Sequence, residues 1–135
     1  MKNSDLIKIA LEIRSKAYCP YSDFAVGAAL LCADGSVYSG CNIENSSFTP
    51  TVCAERTAFF KAVSEGKKDF VKIAVVGGNA EKEPENYCPP CGVCRQVMKE
   101  FCSADFEIII AKSIDEFKTK KLSDLLPESF DKREV

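Results

Sequence analysis

Residues 71–78 read VKIAVVGG, a short apolar run that two glycines close, and this pattern predicts a buried β-strand. A second apolar run, from Phe106 to Ala111, predicts another buried strand, and a helix is predicted between the two from Cys91 to Phe101. Two neighbouring strands joined through a helix favour a parallel pair, with the helix lying on one face of the sheet. The second half of the chain therefore indicates the α/β class.

The first half of the chain predicts a helix, a hairpin and a second helix. Apolar residues that recur three and four positions apart predict a helix from Asn3 to Tyr18. The segments Phe24 to Ala33 and Ser36 to Asn42 flank Asp34-Gly35, a dipeptide typical of the turn in a β-hairpin. The next helix is predicted from Val52 to Ser64. We therefore expect a mixed sheet that lies between layers of helices.

The remaining segments predict connections and a short C-terminal structure. A polar loop is expected from Glu44 to Thr51, and a charged surface loop is expected from Asn79 to Tyr87. A short helical turn is expected at Ile114 to Phe117, followed by an apolar segment from Leu122 to Leu126. No internal repeat, linker or low-complexity tract interrupts the sequence, so we expect a single domain over residues 1–135.

The composition argues against nucleic-acid and membrane partners and indicates a cellular compartment. Eighteen Lys and Arg stand against twenty Asp and Glu, so the chain lacks the basic excess typical of nucleic-acid-binding proteins, and we expect no nucleic-acid partner. No apolar run approaches the roughly 20 residues of a membrane span, so no membrane partner is expected either. The first residues lack the apolar core of a signal peptide, and we therefore expect a reducing, cytoplasmic environment.

The eight cysteines and the absence of histidine limit the possible chemistry. In a reducing compartment, clustered cysteines more often bind metal or react than form disulfides. Cys91 and Cys94 stand three residues apart at the start of a predicted helix, so their thiols share one helical face. Cys53 opens the preceding helix, and helix N-termini favour thiolates. Three soft thiolate ligands without an imidazole indicate one Zn²⁺ per chain.

Three protein ligands leave the fourth tetrahedral position of zinc open for water, which is typical of catalytic sites. Glu55, two residues after Cys53, is the candidate acid–base group that would exchange protons with that water. Three thiolates also give the cluster an excess of negative charge. Arg56 and Arg95 each stand beside a predicted ligand and are candidates to offset this charge.

A four-thiolate structural zinc site is the alternative hypothesis that does not involve an enzyme. Cys88 forms a second C-x-x-C pair with Cys91, so four cysteines could surround the zinc and exclude water. Against this alternative, Pro89-Pro90 stiffens the connection and is expected to direct Cys88 away from the other thiols. A closed site would also leave Glu55 without a role.

Two segments carry a resemblance to a known family. Cys53-Ala54-Glu55-Arg56 and residues 90–96, which read PCGVCRQ, together resemble the zinc deaminases of nucleosides and nucleobases. Within that group the chain is similar to the small homotetrameric cytidine deaminases, in which a cysteine is the first zinc ligand. Tyr21-Ser22, Asn42 to Asn45 and Leu125 to Pro127 match further motifs of the family.

The resemblance implies a fold, a reaction and an assembly. The implied fold has three layers, α/β/α, around a mixed sheet of about five strands. The implied reaction is the hydrolytic deamination of cytidine and 2′-deoxycytidine to uridine and 2′-deoxyuridine with release of ammonia, a step of pyrimidine salvage. The implied assembly is a homotetramer whose active sites are shared between subunits. A deaminase of aminonucleoside antibiotics, of the blasticidin S type, is the alternative enzyme because it shares the zinc motifs.

The resemblance also assigns roles to individual residues. Cys53, Cys91 and Cys94 would bind zinc, and Glu55 would move protons. Asn42 and Glu44 would hydrogen-bond the ribose 3′-hydroxyl, while Phe24 would pack on the nucleoside. Phe48 and Phe130 would come from neighbouring subunits, and position 48 is commonly tyrosine in the family. The residues expected at the substrate are Phe24, Asn42, Glu44, Ser46, Phe48 and Phe130.

Overall fold

The computed structural model describes residues 1–133, and the last two positions of the expected domain lie outside the described residues. Among the described residues, no helix is both long and apolar enough to cross a membrane. Helices and strands follow one another in the order α1 (Asn3–Arg14), β1 (Phe24–Cys32), β2 (Val37–Cys41), α2 (Ala54–Ser64), β3 (Phe70–Asn79), α3 (Gly92–Phe101), β4 (Glu107–Ala111), β5 (Phe117–Lys121) and α4 (Leu122–Leu125).

The strands form one mixed sheet in the order β2-β1-β3-β4-β5. β3 and β4 are parallel, with Ile73 opposite Ile108, while the other neighbouring strands are antiparallel. The parallel pair follows from the connection through α3, which returns the chain to the same end of the sheet before β4 begins. The predicted mixed sheet and its parallel pair are confirmed.

Helices cover both faces of the sheet and produce the expected three layers. On one face, α1 buries Leu6, Ile7 and Ala10 against the central strands. On the other face, α2 and α3 bury Phe59 and Met98 in a larger apolar cluster. Because both faces are covered, β1 and β3 are apolar at most positions instead of alternating. The shared face brings the N-termini of α2 and α3 together.

Two glycines allow the helices to lie close to the sheet. A Cβ atom on Gly27 would overlap the carbonyl oxygen of Ala10 in α1. A Cβ atom on Gly40 would lie 2.6 Å from the carbonyl oxygen of Ala54 in α2. Both obstacles are backbone atoms of a packed helix, so a side chain at either position would displace that helix from the sheet.

Helix α1 ends at Arg14, earlier than predicted, because the chain turns to pair with the segment that follows β2. The Tyr18 N–H donates to the carbonyl oxygen of Asn42 at 3.0 Å, and the Glu44 N–H donates to the carbonyl oxygen of Tyr18 at 2.8 Å. These bonds bring residues 18–24 beside residues 42–44. The family motifs Tyr21-Ser22 and Asn42 to Asn45 are therefore neighbours in space.

The predicted helical turn at Ile114 to Phe117 is wrong. The chain bends there, and Phe117 begins β5, which pairs antiparallel with β4. The Ser113 hydroxyl accepts the N–H groups of Asp115 and Glu116 at 3.3 and 3.1 Å, a local turn that competes with a helix. The sequence pattern missed β5 because all of its residues are exposed, so polar and apolar positions do not alternate.

We expect Gly27→Ala to lower the free energy of unfolding by about 1–3 kcal/mol, because the added methyl group overlaps the backbone of α1. Gly92→Ala is the matched control, since a Cβ atom there meets open space. Both variants should be compared by urea unfolding at the same zinc concentration. Equal stability of the two variants would contradict the close packing of α1 on β1.

Candidate active site

Three cysteine thiols meet where the N-termini of α2 and α3 converge. Cys53 is the N-cap of α2, Cys91 is the N-cap of α3, and Cys94 lies in the first turn of α3. The Cys91 Sγ lies 3.7 Å from the Cys53 Sγ and 3.4 Å from the Cys94 Sγ, and all three atoms lie within 4.8 Å of one another. Zn–S bonds of about 2.3 Å in a tetrahedron separate sulfur atoms by about 3.8 Å. The donor set and its spacing therefore fit zinc.

Hydrogen bonds already favour a thiolate in this cluster. The hydrogen bond with the Cys94 thiol, assisted by the Arg56 guanidinium, lowers the pKa of Cys53 to about 5. The Arg56 Nη2 donates to the Cys53 Sγ at 3.3 Å. The same bond with Cys53 raises the pKa of Cys94 well above its usual range. A bound cation would therefore displace protons from the remaining thiols.

Arg95 is a candidate to offset the charge of the thiolates, but its side-chain hydrogen bonds go to backbone carbonyl oxygens. Its Nε donates to the carbonyl oxygen of Pro90 at 2.7 Å, and its Nη1 donates to the carbonyl oxygen of Leu125 at 2.8 Å. The guanidinium thus joins the start of α3 to the end of α4. Contact with a thiol is made by Arg56, while Arg95 fixes the position of the helix that carries two of the ligands.

Glu55 is a buried carboxyl group beside the three thiols. It lies in the first turn of α2 with an exposed fraction of 4%. Burial raises the pKa of the Glu55 carboxyl to about 7. A carboxyl group with a pKa near 7 can both accept and release a proton near neutral pH.

Cys88 lies outside the group of three thiols. A Cβ atom on Gly77 would lie 2.7 Å from the Cys88 Sγ, so this thiol packs against the backbone of β3. Burial, followed by the nearby Glu55 and Cys53 charges, raises the pKa of Cys88 to about 11. The geometry of the described residues therefore supports a three-thiolate site with an open fourth position, and not a closed four-thiolate site.

Asn42 links the end of β2 to the start of β1. Its Oδ1 accepts the Val26 N–H at 2.8 Å, and its Nδ2 donates to the Phe24 carbonyl oxygen at 2.8 Å. The two partners assign the orientation of the amide group. One N–H of Nδ2 remains unused by these bonds, and the Phe24 side chain beside it is 43% exposed.

Glu44 is held by the segment that precedes β1. Its Oε1 accepts the N–H groups of Tyr21 and Ser22 at 3.0 and 3.1 Å, and its Oε2 accepts the Ser22 hydroxyl. The hydrogen bond from the Ser22 hydroxyl lowers the pKa of Glu44 below its ordinary value. Ser22 was not among the residues expected at the site, although Tyr21-Ser22 was recognised as a family motif.

The other expected substrate residues lie on the surface of the chain. Phe48 is 72% exposed, and its backbone is in the left-handed region with a φ of 64°. Ser46 is exposed in the same loop. Phe130 is 59% exposed, and its carbonyl oxygen accepts a hydrogen bond from the Gln96 Nε2 at 3.1 Å. These side chains are available to a molecule outside this chain.

We expect one zinc ion per chain, lost in Cys91→Ser and retained in Cys88→Ser. Cys91→Ser removes one of the three convergent sulfurs, whereas Cys88 lies against β3. Zinc content after dialysis against a moderate chelator is the measurement. Equal loss of zinc from both variants would contradict the three-thiolate site and support the four-thiolate alternative.

Comparison with known proteins matches this arrangement to a family. Residues 1–110 match the family described as the Cytidine and deoxycytidylate deaminase zinc-binding region. The cytidine deaminase of Halalkalibacterium halodurans is 52% identical over 130 residues, which are 96% of this chain and 95% of that protein. The cytidine deaminase of Sporosarcina psychrophila is 45% identical over 96% of this chain and 92% of its own length.

A solved structure agrees with the sequence matches. The crystal structure of cytidine deaminase from Burkholderia pseudomallei is 43% identical, covers 96% of this chain and 100% of its own, and has a TM-score of 0.87. The fold implied by the family resemblance is therefore confirmed, and the three convergent thiols fall within the zinc-binding region of the match. The chain belongs to the cytidine deaminase family.

Proposed function

We propose that this protein deaminates cytidine and 2′-deoxycytidine by hydrolysis. The observation that carries the proposal is the group of three convergent thiols with the buried carboxyl of Glu55 beside it. Relatives at 52% and 45% identity are cytidine deaminases, which supports the same substrate class here. The overall reaction adds water at C4 of the base, breaks the C4–N bond of the amino group and releases ammonia.

Cys53, Cys91 and Cys94 would hold the zinc ion. Bound zinc supplies a Lewis acid that lowers the pKa of water at neutral pH. Three thiolates weaken that effect because they carry more negative charge than zinc carries positive charge. The Arg56 guanidinium, which donates to the Cys53 sulfur, partly offsets the negative charge of the three thiolates. The chain thus provides both the soft ligands and a cation that moderates their charge.

Glu55 would transfer the protons of the reaction. Its carboxylate would take a proton from the attacking water and deliver protons to N3 of the base and to the leaving amino group. Burial supports this role, since a carboxyl group shielded from bulk water exchanges its proton with the bound reactants. Its place in the first turn of α2, two residues after Cys53, would hold it beside the reacting carbon of a bound substrate.

The ribose site is proposed from the hydrogen-bonding capacity that Asn42 and Glu44 retain. A carboxylate accepts about four hydrogen bonds, and Glu44 receives three from its own chain, so Oε2 keeps one lone-pair direction. Asn42 keeps one N–H donor. A hydroxyl group both donates and accepts, and is therefore complementary to this pair. A 3′-linked phosphate would be repelled by the Glu44 carboxylate, which favours free nucleosides over polynucleotides.

Phe24 would form an apolar wall of the nucleoside site. Its ring is partly exposed, whereas its backbone is held on both sides by the Ser22 hydroxyl and the Asn42 amide. An aromatic ring with a fixed backbone offers a flat apolar face at little conformational cost. Ser46, exposed in the loop after Glu44, is a further candidate contact.

A homotetramer with shared sites is the proposed assembly. Phe48 and Phe130 are large apolar side chains exposed to solvent in the single chain. Their backbones are held by hydrogen bonds nonetheless, since the Phe48 N–H donates to the carbonyl oxygen of Asn45 at 3.0 Å and the Gln96 Nε2 donates to the carbonyl oxygen of Phe130 at 3.1 Å. Contact with another molecule would remove the apolar surface of these rings from water, which is favourable. A second copy of the chain supplies that molecule in most soluble oligomers.

The proposed setting is pyrimidine salvage in the cytoplasm. The chain contains eight cysteines, and all of them are free thiols in the structure. Three thiols that must remain reduced to bind zinc require a reducing compartment. Free nucleosides are the substrates that such a compartment would provide.

We expect Glu55→Gln to keep zinc and nucleoside binding but to lower kcat by about 10²–10⁴-fold, because the amide cannot carry the proton. Glu65→Gln is the matched control, since Glu65 lies at the other end of α2 and accepts the Tyr38 hydroxyl. The decrease in cytidine absorbance measures the rate, and metal analysis measures zinc. A nearly normal kcat in Glu55→Gln would exclude Glu55 as the proton carrier.

We expect Phe130→Ala to weaken nucleoside binding by about 1–3 kcal/mol, the value of one buried aromatic contact. The shared-site assembly adds a sharper expectation: coexpressed Glu55→Gln and Phe130→Ala chains should form some sites with the nucleoside affinity and kcat of the unchanged protein, a combination that neither variant has alone. Mixed oligomers would contain sites with Glu55 from one chain and Phe130 from another. Light scattering gives the oligomeric state, and a fully active monomer would contradict the assembly.

A further inference from the structure

Ser22 connects two of the proposed substrate contacts through one hydroxyl group. Its Oγ donates to the Glu44 Oε2 and accepts the Phe24 N–H at 3.0 Å. The N–H groups of Tyr21 and Ser22 both donate to the other carboxylate oxygen, Oε1. The hydroxyl is therefore the contact that restrains the Glu44 Oε2, while the two N–H groups restrain Oε1.

The backbone around Ser22 is bent to make this contact. Asp23 has a φ of 56°, a left-handed conformation that is uncommon for a residue other than glycine. This bend turns the Phe24 N–H back towards the Ser22 hydroxyl, as in turns built on a serine side chain. The Asp23 N–H donates to the Cys19 carbonyl at 3.0 Å, and its own carbonyl accepts the Ala80 N–H at 2.8 Å. The strained residue is thus held from both sides.

The orientation of the Glu44 carboxylate decides which lone pair points outward. Three hydrogen bonds from residues 21 and 22 fix both oxygens, and they leave one direction open on Oε2. Without the Ser22 hydroxyl, Oε2 would have two open directions and no restraint from the chain. The carboxylate would then be held only by the two N–H groups that donate to Oε1, and it could rotate around that oxygen. The outward lone pair of Oε2 would no longer have a fixed direction.

We propose that Ser22 is a positioning residue for nucleoside recognition, which aims the Glu44 carboxylate at the ribose 3′-hydroxyl and fixes the backbone of Phe24. This inference depends on the proposed function, because it takes Glu44 and Phe24 as nucleoside contacts. The Ser22 hydrogen bonds go to Glu44 and Phe24, and none of them goes to Cys53, Cys91 or Cys94. Its effect through Glu44 appears as selectivity for a substrate that carries the 3′-hydroxyl, whereas its effect through Phe24 is the same for substrates with and without that group.

The test compares Ser22→Ala with the unchanged protein on cytidine and 3′-deoxycytidine. Loss of a hydrogen bond to a charged group predicts a fall in kcat/KM for cytidine of about 10- to 100-fold. The fall should lie mainly in KM, because the reacting atoms are untouched. For 3′-deoxycytidine the fall should be much smaller, since that substrate lacks the hydroxyl that Glu44 recognises. The ratio of the two efficiencies should therefore approach one.

Two controls separate positioning from a general structural role. Ser22→Thr keeps a hydroxyl and should restore most of the selectivity. Ser36→Ala removes a similar bond in the β1–β2 turn, where the Ser36 hydroxyl donates to the Asp34 Oδ1 at 2.5 Å. This control lies at the opposite end of β1 and should leave the selectivity unchanged. If Ser22→Ala fails to fold, the nearly isosteric Ser22→Cys, with its weak donor, should give a partial loss of the same selectivity.

The possible outcomes are distinguishable. The positioning role would be overturned if Ser22→Ala lowered kcat/KM equally for cytidine and for 3′-deoxycytidine. If Ser22→Ala does not fold, the same result in Ser22→Cys would overturn it. Failure of the unchanged, zinc-loaded protein to deaminate cytidine would instead overturn the proposed function. Calorimetric binding of uridine and 3′-deoxyuridine provides the same comparison without catalysis. A preference for uridine that is lost in Ser22→Ala and kept in Ser36→Ala would support the inference.

Discussion

The convergence of two helix N-termini on three thiols is the constraint on which the rest of the structure depends. Thiolates this close repel one another, so they require the partial positive charge of helix N-termini and a bound cation. The sheet brings the two helices together by giving them one common face. Gly40 lets α2 lie against the strands, and Arg95 joins the start of α3 to the C-terminal segment. The core thus serves as the frame of the metal site.

Much of this frame could be predicted because its signals are local. The Asp34-Gly35 turn predicted the hairpin of β1 and β2, and two buried runs with a helix between them predicted the parallel pair. The grouping of Cys53, Cys91 and Cys94 followed from cysteines that each begin a helix, together with the lack of histidine. In each case the residue type and its spacing contained the necessary physical information.

The features that could not be predicted depend on atoms distant in the sequence. Nothing beside Arg95 indicates that its partner is the carbonyl oxygen of Leu125, thirty residues later. Strand β5 has no apolar face, because its position at the sheet edge leaves all of its side chains exposed. The bond from the Phe24 N–H to the Ser22 hydroxyl spans a left-handed backbone at Asp23, which a sequence pattern does not predict. Tertiary contacts, and not local preference, determine these features.

A metal ion bound to these thiols would also cross-link parts of the chain that are distant in sequence. Cys53 and Cys91 are 38 positions apart, and the segment between them contains α2 and β3. A cation bound to both sulfurs would close this segment into a loop and reduce the number of conformations open to the unfolded chain. The affinity for the metal and the free energy of folding would then be linked. The metal–sulfur bonds needed for catalysis would also stabilise the folded chain.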